Sequence, residues 1–344
     1  MTKLVFITQH VDPGHPALAA TVPKIRALAA HVDEVVVLAD GAVPGVLPEN
    51  CRVRTFRAPH KALRGARFEA ALARELPGLR GGAVVAHMCP IYAVLAAPLV
   101  RPLGFPLVLW FTHWRASGLL RAAERASTAV TSVDERSFPL PSKKLHAIGH
   151  GIDLDEFPCS SPRDGSGMRL LALGRYSTAK GLDVAVAAVP LAGDDVELHL
   201  HGPALSDEER AHRAELEQLV PELGLDGRVT IGDAVPRSAL PGLFAAHDAL
   251  VNNMRPGAPD KVVYEAAAAC LPVLASNPIF DELLEPEQRF TRWDPGALAE
   301  RVRALTQLTR DERAAIGRRL RERVAAGHSV ESWARGTLGA AGLS

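Results

Sequence analysis

The sequence predicts an α/β protein made of two Rossmann-like, doubly wound domains. Three observations carry that expectation. Short apolar runs, each bounded by polar or turn residues, alternate with amphipathic stretches along most of the chain. The runs are apolar on both faces, as strands covered on each side by helices must be. At 344 residues the chain exceeds what one ordinary core organises, and the alternation breaks once, near the middle.

From the amino terminus the runs are Lys3–Thr8, Glu34–Ala39, Arg52–Phe56, Ala83–His87, Pro106–Phe111, Ala129–Val133 and Lys144–Ile148. Between them, Leu18–Ala30 and Arg67–Glu75 repeat apolar residues at helical spacing. The stretch Pro158-Cys-Ser-Ser-Pro-Arg-Asp-Gly-Ser-Gly167 gathers turn formers with little to bury, which marks a linker. The pattern restarts with Arg169–Gly174, Val196–Gly202, Arg228–Gly232, Ala249–Met254 and Pro272–Ser276. The tail, Arg310–Ala326 and His328–Leu343, is helical in pattern, and Trp333 offers it an anchor. The expected division is a first domain over 1–157, a linker over 158–167, a second domain over 168–327, and a closing helix over 328–344 that packs back on the first domain. Ligands of such sheets lie beyond the carboxyl ends of the strands, so two facing domains define a cleft.

Composition narrows the function. Basic and acidic residues balance at 39 each, so no global field draws the chain to nucleic acid or an anionic membrane. Any anionic ligand must then be met by a local cluster. No apolar run reaches the ~18 residues that span a bilayer, and Met1–His15 reads as a strand with its following loop, not as a signal peptide. Cys51, Cys89, Cys159 and Cys270 are scattered without paired spacing, which predicts reduced thiols in a cytoplasmic protein.

Two stretches carry candidate chemistry. In Leu173-Gly-Arg-Tyr-Ser-Thr-Ala-Lys-Gly-Leu182 a strand ends at Gly174, two cations follow in one loop, and Gly181 opens a helical stretch. A guanidinium and an ammonium beside a helix start suit a diphosphate, Arg175 with its fork and Lys180 as a point charge. The alternative is two solvated loop cations. The order Lys-Gly is not that of a Walker loop. In Asp260-Lys-Val-Val-Tyr-Glu-Ala-Ala-Ala-Ala-Cys270, Asp260 is placed to cap a helix that begins at Lys261. Glu265 then lies one turn on from Lys261. It is either half of a surface Lys–Glu pair or, given the small residues after it, a fixed carboxylate for paired sugar hydroxyls. Asp153-Leu-Asp155 has the spacing of a D-x-D metal motif, but it sits in a domain-closing loop and no metal site is expected. His87-Met-Cys89 ends a strand without further ligands nearby and is expected to line an acceptor cleft.

These motifs, with His201-Gly-Pro203 between them, resemble the carboxyl half of the family-four, group 1 retaining glycosyltransferases of the GT-B fold. Gly149-His-Gly-Ile-Asp-Leu-Asp-Glu-Phe157 is similar to the stretch that ends that family's first domain. Arg228-Val-Thr-Ile-Gly232, with the helix that follows, resembles its base-binding region, which puts base selectivity in main-chain contacts near Gly232–Val235, and Trp333 lies in a tail like its closing helix. The resemblance implies a sugar donor, a nucleoside diphosphate sugar, held mainly by the second domain, and a small-molecule, lipid or glycan acceptor met by the first. It implies Arg175 and Lys180 on the diphosphate, Glu265 on the ribose, and Gly174, Asp260, Lys261, Val262 and Val263 around phosphate and sugar. It implies His113 of Trp110-Phe-Thr-His-Trp-Arg115 near the transferred sugar, in preference to a polar residue merely satisfied at a strand end, and Gly14 beside the phosphates, although turn use alone would explain Pro-Gly equally well. No cofactor and no metal are implied. One departure is clear: the family carries a glutamate eight positions before the one at Glu265, and here that position is Gly257. An epimerase, a phosphorylase or an inactive binding homologue on the same fold are the alternatives.

Overall fold

The computed structural model of the protein describes residues 2–15, 18–163 and 165–343. Pro16 and Asp164, expected in the first loop and in the linker, lie outside the described residues. The chain forms two compact units, Met1–Asp153 with Gly327–Ser344, and Leu154–Ala326. Residues 158–167 therefore belong to the second unit.

In the first unit, β1 (Lys3–Val11), β2 (Glu34–Ala42), β3 (Cys51–Thr55), β4 (Ala83–His87), β5 (Leu107–Trp110), β6 (Ala129–Ser132) and β7 (Leu145–Ala147) form one sheet. Its order is β3-β2-β1-β4-β5-β6-β7 and every pair is parallel. Helices α1 (Thr21–Ala29), α2 (Lys61–Glu75), α3 (Pro90–Val100) and α4 (Gly118–Ala126) make the crossovers. Alternation along the strands divides the core. Val5, Ile7, Val36, Leu38 and Val84 pack on one face with Phe56, Phe68, Leu72 and Tyr92.

In the second unit, β8 (Met168–Leu173), β9 (Val196–His201), β10 (Val229–Gly232), β11 (Ala249–Asn252) and β12 (Val273–Ala275) form a parallel sheet of order β10-β9-β8-β11-β12. The helices are α5 (Leu182–Ala192), α6 (Asp207–Glu222), α7 (Leu240–Ala245), α8 (Lys261–Ala268), α9 (Pro295–Thr306) and α10 (Arg310–Gly327). The order reverses between β8 and β11, so the loops that leave these two strands diverge to opposite faces and open a crevice at their carboxyl ends. That reversal positions the site.

The last helix, α11 (Val330–Ala340), packs on α1 in the first unit. Its Trp333 is fully buried, with ring centroids 6.1 Å from His87 and 6.5 Å from Phe6. Lys24 of α1 holds its ammonium 4.0 Å over the Trp110 ring and 5.1 Å over that of Trp333. Gly151 takes φ 76°, and a Cβ there would stand 2.6 Å from the Lys24 side chain, so only glycine fits beneath this cation. Truncating a tryptophan in such a setting costs roughly 3–5 kcal/mol.

Two expectations are corrected. Cys159 and Cys270 form a disulfide across 111 residues, with only Cys51 and Cys89 free. Sequence spacing carries no trace of this bond, because Cys270 reaches Cys159 only after β8–β11 and α8 have closed the second sheet. Ser160 N–H, donating to Ala269 O at 3.2 Å, holds the same two segments together. The other correction is His87, which lines no cleft. It is buried against Trp110 at 4.7 Å in a stacked pair.

Candidate functional site

The crevice between β8 and β11 gathers most of the candidates. Gly174 leaves β8 at φ 136°, and a Cβ on it would fall 2.3 Å from Lys180 Nζ. The glycine therefore makes room for that ammonium. Lys180 rides on a 3-10 turn, Thr178–Lys180, whose start is capped by the Ser177 hydroxyl, and Gly181 leaves it in the left-handed region at φ 56°. From there Lys180 Nζ donates to Leu173 O at 3.3 Å and pairs closely with the Asp260 carboxylate. Asp260 Oδ2 also accepts from Asn252 Nδ2 at 2.8 Å. One carboxylate thus ties the β8 loop to the β11 loop across the reversal.

This changes the expected role of Asp260. It stands at the first position before α8, but its side chain makes no capping bond. The carboxylate that would have satisfied the helix start is drawn away by Lys180, whose full charge outcompetes a backbone N–H.

Glu265 lies on α8 and is only 3 % exposed. Its Oε1 accepts from Arg237 Nη1 at 2.6 Å and faces Lys261 Nζ at 3.2 Å. Burial pushes the carboxyl up, but Lys261 and Arg237 outweigh it and hold the group below the usual carboxylate range. The surface-pair alternative fails on burial. Arg237 enters from the turn after β10, also pairs with Glu156 at 3.0 Å and stacks on Phe157, its carbon 5.2 Å from the ring. Val262 and Val263 are buried in the core beside it.

Arg175 is brought elsewhere. Its Nε donates to Glu209 Oε1 at 2.6 Å, and Glu209 in turn accepts from Leu205 N–H at 2.7 Å, so the arginine is held at the first turn of α6. Its side chain is 57 % exposed. Both expected diphosphate cations therefore have a carboxylate partner. Beside Arg175, a groove of about 470 Å³ runs past the ends of β9 and β10, lined by Gly202, Pro203, Arg210, Arg213, Asp233 and Ala234. The buried Tyr176 donates its hydroxyl to Gly232 O at 2.6 Å, and its ring lies under the guanidinium of Arg213, one of the lining residues.

The first unit carries the other two candidates. His113 Nδ1 accepts from Arg115 N–H at 3.0 Å, which puts the proton of the neutral ring on Nε2. Partial desolvation, and then the Arg115 cation, hold it below the ordinary histidine value. Gly14 N–H donates to Asp12 Oδ1 at 2.8 Å in a turn. Asp12 Oδ1 would lie 3.4 Å from an added Cβ, an ordinary contact, so the turn itself does not demand glycine. Gly257 does demand it, at φ 78°, and a glutamate there would be strained. Among the described residues no group of three or more His, Cys, Asp or Glu is placed to hold a metal ion, and no helix is long and apolar enough to cross a membrane.

Sequence reasoning missed Asn252, Glu209, Arg237 and Glu156. Asn252 closes β11 within a recognisable strand end and was within reach; the others come from segments with no fixed spacing to the residues they hold.

Residues 167–308, which contain the whole crevice, match the family model of the glycosyl transferases group 1. No curated protein gives a match. Among solved structures, Anabaena Alr3699/HepE in complex with UDP and glucose is similar at 19 % identity and TM-score 0.75, over 97 % of each chain. The sucrose-phosphate synthase (tll1590) of Thermosynechococcus elongatus is similar at 18 % and 0.74, again over 97 % of each. A glycosyltransferase from Rickettsia africae ESF-5 is similar at 13 % and 0.78, over 99 % of this chain and 97 % of its own. Likeness at these identities is likeness of fold, and the fold is two Rossmann-like α/β domains of the GT-B kind, with a group 1 glycosyl transferase match across the second.

Proposed function

We propose that this protein is a group 1 glycosyltransferase of the family-four type, moving a sugar from a nucleoside diphosphate sugar to an acceptor hydroxyl with retention. The observation that carries this reading is the crevice itself. A lysine, a helix start and a buried carboxylate stand together at the strand-order reversal of the one segment that matches the group 1 model. That the similar Anabaena protein holds UDP and glucose supports the donor class.

In this reading the leaving diphosphate gains negative charge as the glycosidic bond breaks. Lys180, Arg175 and the first turn of α8 at Lys261 stabilise that charge best in the transition state, which is where stabilisation accelerates. Binding requires the diphosphate to draw Lys180 from Asp260 and Arg175 from Glu209. Glu265, fixed as an acceptor by Arg237 and Lys261, takes hydrogen bonds from paired ribose hydroxyls. Gly174 gives the backbone room to approach. Val262 presents a first-turn amide of α8, with Val263 beside it holding its own N–H on Asp260 O at 3.1 Å, while His113 and Gly14 serve the sugar and phosphates from the first unit. The acceptor hydroxyl adds to the anomeric carbon on the face the diphosphate leaves, and its proton passes to the departing phosphate oxygen. These charges suffice without a metal. The acceptor is a small molecule, lipid or glycan. A cytoplasmic location goes with that donor, and the Cys159–Cys270 bond is the feature to check against it, because reducing compartments disfavour disulfides.

The test is turnover of a panel of nucleoside diphosphate sugars by wild type, Lys180→Ala and Glu265→Gln. Loss of one such cation or acceptor is expected to lower kcat/KM by roughly two orders of magnitude. Turnover by Lys180→Ala within a few-fold of wild type would overturn the assignment. Exchange of label at the sugar's C2 without acceptor would point to an epimerase instead.

A further inference from the structure

Charge cancels over the whole chain but not along it. Residues 50–123 hold eleven lysines and arginines against two acids, Glu69 and Glu75, and residues 76–123 hold no acid at all. This segment runs from β3 to α4 in the first unit. Some of its cations are engaged: Arg54 pairs with Glu75 at 2.5 Å, Arg52 with Glu34, and Arg64 with Asp40 at 2.9 Å. Arg57, Lys61, Arg67, Arg115 and Arg121 are exposed and pair with no acid among the described residues.

The fold gathers these five at one edge. Every strand pair is parallel, so α2, α3 and α4 begin where β3, β4 and β5 end. The three helices lie side by side on one face of the sheet. Phe68 of α2 and Tyr92 of α3 share one core cluster, and Ala93 of α3 and Leu120 of α4 share the next. Their starts are close together. A Cβ on Gly65 of α2 would stand 3.8 Å from the Leu95 side chain of α3, and the Tyr92 ring lies 4.9 Å from that of Phe56, before α2. Arg57 and Lys61 stand at the start of α2, and Arg115 and Arg121 at that of α4. Arg67 Nη1 donates to Arg57 O at 2.5 Å, which brings its charge to the same place. The positive ends of three helix dipoles point the same way.

Apolar side chains crowd this edge too. Six large ones are exposed among the described residues of the first unit, and four of them stand here. Val43 lies just beyond β2, while Leu63, Ile91 and Leu119 lie in the first turns of α2, α3 and α4 at 42–43 % exposure. Single exposed aliphatics are ordinary, but a row across three neighbouring helices, set among unpaired cations, is a surface built for contact. A second copy docked face to face would set cation against cation. Nucleic acid would lay its phosphates on aliphatic side chains. An anionic bilayer offers its acyl boundary to the row and headgroup charge to the cations.

We infer that the edge formed by the starts of α2, α3 and α4 docks on an anionic lipid bilayer. Leu63, Ile91 and Leu119 enter the interface, and Arg57, Lys61, Arg115 and Arg121 meet lipid phosphates. Apolar burial and attraction to anionic lipid add in such binding, so both halves of the surface are needed. The inference does not depend on the transferase reading, and it is measured without donor or acceptor.

The experiment is co-sedimentation of the whole chain with vesicles of phosphatidylcholine alone, and with vesicles in which about one third is phosphatidylglycerol. Wild type is expected to pellet with the anionic vesicles and not with the neutral ones, and to be released as salt rises. Arg57→Gln with Lys61→Gln should weaken binding roughly twentyfold, since each cation near an anionic surface is worth about fivefold. Leu63→Ser with Leu119→Ser should weaken it at least about tenfold through lost apolar burial. Arg318→Gln with Arg319→Gln removes the same charge from exposed positions on α10 of the second unit and should leave binding within about twofold. All six side chains lie on the surface, so each variant keeps its core. An equal loss in the α10 pair would trace binding to net charge and overturn the inference. So would failure of wild type to pellet, or equal pelleting with both kinds of vesicle. Self-association or binding of a DNA duplex, without vesicle binding and abolished by Arg57→Gln with Lys61→Gln, would give the edge to a second copy or to nucleic acid and overturn it as well.

Discussion

At the scale of single residues, the buried charges decide what is fragile. Glu265 is held by Arg237 and Lys261 at 3 % exposure, and removing one partner leaves a carboxylate that burial disfavours. Arg237→Ala is therefore expected to destabilise the second unit by about 3 kcal/mol, the lower part of the range for breaking a buried pair, because Lys261 remains. Urea denaturation measures this, and a loss under about 1 kcal/mol would mean that Lys261 alone satisfies the glutamate. The opposite sign is expected at His87. Among the described residues neither of its ring nitrogens has a hydrogen-bond partner, and the ring stacks on Trp110. His87→Phe keeps the stacking shape and removes two unsatisfied polar atoms, so thermal unfolding should rise by up to about 1–2 kcal/mol in stability. A clear loss would show instead that the imidazole is bonded. Lys180, Asp260 and Glu265 were legible because they sit within a few residues of a strand end or helix start, where local pattern speaks. Arg237 was not, since it meets Glu265 from 28 residues upstream, and Asp260 was legible as a position but not as a partner of Lys180, 80 residues away.

At the scale of elements, short runs bounded by turn residues located the twelve strands among the described residues; most are buried, while the exposed edge strands β3 and β7 were marked by their place between turns and not by apolar faces. Helix ends were less legible. Arg67–Glu75 was expected where α2 begins at Lys61, since the charged first turns and Gly65 hide a helix whose apolar face starts late. The disulfide was invisible for the reason that makes it consequential. It closes a loop of 111 residues and tethers the start of the second unit to the end of α8. Titration of the denatured chain should find two thiols before reduction and four after it. Cys159→Ser should cost roughly 2–4 kcal/mol, as expected for a bond closing a long loop. Four thiols without reductant, from protein purified under oxidising conditions, would show that the pair stays reduced. A stable Cys159→Ser variant would show that the Ser160–Ala269 contact holds these segments unaided.

At the scale of the whole molecule, pH acts on both units with one sign. His328 in the first unit and His247 in the second are lowered from the ordinary histidine value of 6.5 to about 4, both first by burial, and His87 is lowered well below it for the same reason. His247 shows how the neutral form is held. Its Nδ1 meets Leu243 O at 2.6 Å, so that nitrogen carries the proton and Nε2 is left to accept from His199 Nδ1 at 2.9 Å. A base whose folded value is depressed binds fewer protons than in the unfolded chain. Its contribution is therefore complete above pH 6.5 and is lost as pH falls toward the folded value. Between pH 6.5 and 5 each such histidine loses roughly 2 kcal/mol, at about 1.4 kcal/mol per pH unit. Below that, Glu75 in the first unit and Glu209 and Glu265 in the second add losses of the same sign. Burial raises each of these carboxyls, but their cationic partners and hydrogen bonds hold them below the usual range, so their contribution disappears as they protonate. Urea denaturation at pH 7.5, 6.5 and 5 should thus show stability nearly level at first and then falling by several kcal/mol. His247→Gln, which cannot take up a proton, should flatten part of the fall. Equal stability at pH 7.5 and pH 5 would mean that these rings open to water in solution.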